Sequence, residues 1–178
     1  WLGGTLDVGL ARSYTAVLLV ANQLTPRGEK NRLRTETQGV ELRGAEVRLT
    51  DAEGNILDEF STPTGGFVHP NSGEAPGYGL TSVTLITPTR GRSFAESMER
   101  YERRSVVANV RVFGDTLGGI EVTSGEFTYV IDVCVGCLVT FPPDALEDLG
   151  NGQGPLCIGS SEGLTLTQCT RGQDELVD

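Results

Sequence analysis

The sequence predicts an all-β fold, an immunoglobulin-like or fibronectin-like β-sandwich with one short helix and a disulfide-pinned, loop-rich C-terminal tail. Three observations carry this. Short runs rich in Val, Leu, Ile and Thr recur at intervals of roughly 8 to 15 residues, bounded by Gly, Pro, Asn and Asp. Several runs alternate apolar and polar residues, the two-residue period of a strand with one face in a core. Helical patterns do not alternate with them, which argues against repeated βαβ units and a parallel sheet. At 178 residues the chain is long enough to bury one real core. The division expected is a sandwich over 1–137 and a cysteine-containing tail over 138–178.

In chain order, TLDVGL (5–10) alternates weakly and TAVLLVANQL (15–24) is a near-continuous apolar run, suited to a strand buried on both sides or facing a second sheet. Residues 25–38 are polar and carry Pro26 and Gly28, the pattern of an exposed connection, with room for an edge strand. In GAEVRLTDAEGNILDEF (44–60), Ala45, Val47 and Leu49 alternate with Glu46, Arg48 and Thr50 before a Gly-Asn turn, and Ile56, Leu57 and Phe60 return. That is a hairpin. The stretch 61–79 is dense in Gly and Pro and reads as an irregular ordered loop. LTSVTLITPT (80–89) alternates again and ends at Pro88. The helix is expected over 92–103, where Phe94, Met98 and Tyr101 recur at spacings of four and three. SVVANVRVFG (105–114) and IEVTSGEFTYVIDV (120–133) form the last strand pair, the first with strict alternation of Val106, Ala108, Val110 and Val112. A Trp on the third strand and an inter-sheet disulfide, the marks of antibody-type domains, are missing from this sandwich pattern; the single Trp is Trp1.

The net charge of -10 argues against nucleic acid and anionic lipid surfaces, which need a concentrated positive field. No run approaches the roughly 20 apolar residues of a membrane-spanning helix.

All four cysteines, Cys134, Cys137, Cys157 and Cys169, fall in the last 45 positions. A redox dithiol needs its first Cys at a helix N-terminus, where dipole and free amides stabilise the thiolate. Here the Cys-x-x-Cys follows a strand and runs into LVTFPP. Zinc needs four converging thiolates, usually as two short-spaced pairs, and the separation of Cys157 from Cys169 does not supply the second. Disulfides fastening a tail with little core of its own are the remaining reading, and they place the chain in an oxidising compartment. Three pairings are open; the expected one sends Cys134 and Cys137 each into the tail, because a bond between them leaves the long segment unrestrained.

DAEGNILDE (51–59) offers oxygen ligands but lacks the Gly and bidentate Glu positions of a helix-bracketed calcium loop. It reads as a hairpin turn. His69 is the only His and no Gly-x-Ser-x-Gly elbow accompanies it. No cofactor, metal or catalytic set is expected. Phe67, Tyr78 and Tyr101 are the aromatics placed to line a pocket between the 61–79 loop and the helix.

LGGTLDVGLARSYTAVLLVANQL, RGAEVRLTDAEGN, VFGDTLGGIEVTSGEFTYVIDVCVGCLVTFPPDA and the closing GQDELVD together resemble envelope lipoproteins of unknown function from myxobacteria and their relatives. The resemblance runs along nearly the whole chain. It implies an extracytoplasmic address, and a signal peptide and lipidated Cys ahead of the Trp1 region, so that any membrane association is through that anchor. The functional expectation is a non-enzymatic envelope or extracellular structural protein, a scaffold or assembly subunit with protein partners, for which strand addition along a sheet edge is one means of joining an assembly. The alternative expectation is a small-ligand or glycan binding module.

Overall fold

The computed structural model describes residues 3–138. The chain is mostly β, with one α-helix among the described residues. Strand β1 (Gly3–Asp7) is followed by β2 (Tyr14–Asn22), β3 (Val40–Asp51), β4 (Ile56–Val68), β5 (Gly77–Ile86), helix α1 (Pro88–Ser97), β6 (Arg103–Thr116), β7 (Glu121–Thr123) and β8 (Phe127–Cys134). The larger sheet has the order β1-β8-β6-β3-β4, with β7 also pairing β6; among the described residues the smaller consists of β2 and β5. Both supply one core. Leu6, Val47, Leu49, Val106, Val110 and Ile131 of the large sheet meet Tyr14, Val83 and Leu85 of the small one, all with 1% exposure or less.

The expected hairpin is present and longer than its sequence signal. Asp51 closes its turn by accepting from the N–H groups of Glu53 and Asn55, at 3.1 and 2.7 Å, and Gly54 takes a φ of 88° that side chains other than glycine's resist. The Asn55 amide also donates to Asp51, and these bonds hold the Asp51 carboxyl below the ordinary carboxylate range. In the polar connection 25–38, no edge strand forms. A single bridge joins Glu29 to Arg34, and Glu36 organises the rest by accepting from Gly28, Gln38 and Arg27 N–H groups, which lowers its own pKa.

Two expectations are corrected. The loop over 61–79 is mostly strand: β4 runs through to Val68, leaving only His69–Pro76 between β4 and β5. Pro63 is tolerated because β4 is an edge of its sheet and Pro63 falls at a register shift opposite Gly44. Gly66 and Gly79 serve a close approach, since a Cβ on either would meet the Leu80 or Phe67 carbonyl at 3.0 and 2.7 Å. Thr64 and Thr81 bridge β4 and β5 there, Thr64 Oγ1 donating to the Ser82 carbonyl at 2.7 Å. This side of the molecule is therefore closed.

The helix is the second correction. It spans Pro88–Ser97 rather than 92–103, because Thr87 caps it, accepting from Arg90 N–H at 3.2 Å, and Pro88 opens it. Phe94 is buried in the helix and Met98 just past it, while Tyr101 adopts a φ of 67° and stands exposed. Strand β2 takes the second of its two expected placements, facing the other sheet. Its apolar run is buried on one face only: Tyr14, Ala16 and Leu18 point inward, while Val17 and Leu19 are each 65% exposed.

Candidate functional site

Cys134 ends β8, and Gly136, at a φ of 78°, turns the chain so that Cys137 returns to it. The two form a disulfide with a Cα–Cα distance of 5.9 Å. The pairing expected from sequence, each of them bonded into the tail, is thus corrected; Cys157 and Cys169 lie outside the described residues. A tight turn with a left-handed glycine makes the local bond geometrically accessible, whatever it leaves unrestrained beyond.

Asp7, at the end of β1 and 1% exposed, holds this turn. Its Oδ1 accepts from the N–H of Gly9 at 2.9 Å and of Gly136 at 2.8 Å, and its Oδ2 accepts from Leu138 at 3.0 Å. The carboxylate and the two sulfurs lie within 4.8 Å of one another, a spacing a metal ion could use. Here the sulfurs are bonded to each other and the carboxylate oxygens are spent on backbone donors. The cluster works as a clip joining the start of the domain to its end.

Phe67, Tyr78 and Tyr101 are not brought together. Phe67 is level with Glu41, itself level with Asp115 near the end of β6, whereas Tyr101 precedes the start of β6. The intervening strand spans about 40 Å. Phe67 packs edge-on against His69 with centroids 4.9 Å apart, Tyr78 lies opposite Ala21, and Tyr101 carries the Arg100 guanidinium 5.0 Å above its ring. The helix expected to complete this pocket does not reach it.

What the structure adds is a surface. On the outer face of the small sheet Val17, Leu19, Tyr78 and Leu80 are exposed by 55 to 65%, and Leu19 and Leu80 are direct cross-strand partners. Thr15, Ala21, Ser82 and Thr84 complete the face by alternation. No charged residue falls in either strand. The opposite, outer face of the large sheet is different in kind. Arg48 pairs with Glu59 at 3.0 Å and Arg111 with Glu126 at 3.3 Å, a solvated ionic lattice that contributes little individually. The run 15–24 predicts a strand buried on both sides or facing a second sheet, and neither alternative points to an exposed apolar face. The signal was there: Thr15, Val17, Leu19 and Ala21 occupy one parity of the run, and Tyr78, Leu80, Ser82 and Thr84 one parity of the next.

No protein-family model, curated protein or solved structure matches this chain.

Proposed function

We propose that the protein is a non-enzymatic structural or interaction protein of the cell envelope or extracellular space, in which an immunoglobulin-like sandwich presents the outer face of β2 and β5 to a protein partner. The observation that carries this is the uncharged apolar face of Val17, Leu19, Tyr78 and Leu80, because soluble domains seldom leave contiguous aliphatic and aromatic side chains in water unless another surface covers them. An aromatic and aliphatic centre with a polar surround is the usual composition of a protein interface core. The separation of β2–β5 from β3–β6–β8 into two sheets supports the immunoglobulin-like reading, and the Cys134–Cys137 bond suits an oxidising compartment. His69, the one residue on which a catalytic triad would have to draw, packs on Phe67. A glycan or small-ligand role has no comparable support, since Tyr101 lies about a strand's length from Phe67 and Tyr78.

The expected result is that L19K/L80E, which sets opposite charges across the pair, loses association with its envelope partner while its circular dichroism and thermal transition stay close to those of the unaltered protein. Both side chains are solvent-exposed, so their replacement touches no core contact. Association unchanged in the double variant overturns the reading.

A further inference from the structure

Strand β1 is the end strand of the larger sheet, five residues long and paired in parallel to β8 alone among the described strands. Its last ladder position sets Asp7 opposite Cys134, and the Val8 N–H carries the ladder on to the Cys134 carbonyl at 2.8 Å. Leu6 and Val8, both fully buried, are its hold on the core. A short end strand with two such anchors is where a domain opens locally before it unfolds. How firmly β1 stays on β8 therefore depends on the contacts at Asp7.

Those contacts are built on the disulfide. Two of the three donors to the Asp7 carboxylate, the Gly136 and Leu138 N–H groups, belong to the turn that Cys134–Cys137 closes, and only Gly9 follows from the strand itself. With the sulfurs parted, the turn regains conformational freedom and no longer holds both N–H groups on one carboxylate. A carboxylate 1% exposed that has lost two of its three donors is costly to keep out of water. It recovers hydration by swinging outward, and the end of β1 goes with it.

The two sulfurs differ in access. Cys134 is fully buried and Cys137 part-exposed, so an incoming thiolate attacks Cys137 Sγ and Cys134 is the leaving group. The Cys134 thiolate then forms within 4.8 Å of an Asp7 oxygen. Two negative charges that close and out of water repel, which drives Asp7 in the same direction as the loss of its donors. The second thiol of the reductant attacks the mixed disulfide at the reductant's own sulfur and expels Cys137. One S–S bond breaks, both cysteines take up the protons that the dithiol gives off, and the dithiol is oxidised to a disulfide.

We propose that the Cys134–Cys137 bond is a redox latch on β1: oxidised, it presents Gly136 and Leu138 to Asp7 and keeps the strand on β8; reduced by a dithiol, it lets Asp7 and β1 come away while the rest of the sandwich holds. Opening uncovers the edge of β8 over Val130–Cys134. The latch lies on the larger sheet, apart from the outer face of β2 and β5, and either can fail alone.

Hydrogen exchange on the full chain, read by mass spectrometry before and after treatment with dithiothreitol, tests it over residues 3–9, with 106–112 as the control for folding and alkylation of a parallel sample reporting which cysteines are reduced. Once Cys134 and Cys137 are reduced, exchange over 3–9 is expected to quicken by about tenfold or more, and exchange over 106–112 to stay as it was. C134A/C137A is expected to exchange fast over 3–9 without reductant, and C157S/C169S to respond to reductant as the unaltered chain does. D7N is expected to exchange faster over 3–9 while still oxidised and to gain less on reduction, because bond and strand are coupled through that carboxylate. Unchanged exchange over 3–9 in protein whose Cys134 and Cys137 are reduced overturns the latch. So does protection lost over 106–112 in step with 3–9, which makes the bond a staple of the whole domain, and so does a bond that dithiothreitol leaves intact in the folded protein. A response that vanishes in C157S/C169S assigns it to those sulfurs and likewise overturns it.

Discussion

Replacing Asp7 with alanine is expected to destabilise the domain by about 3 to 5 kcal/mol, because one buried carboxylate satisfies three backbone donors and no other group among the described residues accepts from them. Each donor left without a partner costs on the order of 1 to 3 kcal/mol when water cannot reach it, and these are only partly reachable. The loss falls on two places at once, the turn after β1 and the turn that closes the Cys134–Cys137 bond. Asp7→Asn is the informative companion. It keeps one acceptor oxygen but sets an amide against one of the donors, so its cost is expected to be intermediate. Thermal unfolding followed by circular dichroism measures both, with a midpoint lowered by something on the order of 10 °C for the alanine variant. A change within a degree or two contradicts the clip.

The second large effect is at Leu85. It is fully buried on β5, and the small sheet reaches the core through few side chains: Tyr14, Ala16 and Leu18 from β2, and Val83, Leu85 and Ile86 from β5. Two strands alone are marginally stable in water, so the sheet's position depends on what these residues bury. Leu85→Ala removes transfer energy and leaves a cavity between sheets that cannot easily collapse, a loss of about 2 to 5 kcal/mol. The expected signature in urea is a lower midpoint with an unaltered slope, since the same surface is exposed on unfolding. An effect below about 1 kcal/mol contradicts the packing described.

How much of this was legible can be argued element by element. The strict alternation of Val106, Ala108, Val110 and Val112 found β6, and that of Ala45, Val47 and Leu49 found β3, because a central strand beside a wet face has no other way to bury half its residues. β4 was read short because Pro63 and two glycines are breakers in a central strand, and only the topology reveals that this strand is an edge with a register shift. The helix starts earlier than its apolar spacing predicts because the Thr87-Pro88 start signal sits at the end of a strand pattern, where a proline equally marks that strand's stop. The cysteine pairing turned on Gly136, whose left-handed conformation makes the short bond feasible; the sequence argument weighed loop restraint instead. The apolar face of the small sheet was hidden by its own composition. A continuous run of Ala, Val and Leu is the same on paper whether both faces are covered or one, and only the pairing of β2 with β5 alone shows the difference.

The claim on which the functional account rests is that the face of β2 and β5 meets a partner while the ionic face of the large sheet meets water. A photo-crosslinking side chain placed in turn at Leu19, Leu80 and Thr128, irradiated in the cells that produce the protein, tests it directly, Thr128 being exposed on the large sheet. The account predicts one and the same protein adduct from positions 19 and 80 and none from 128. Adducts of equal yield from 128, or none from either position on the small sheet, contradict it.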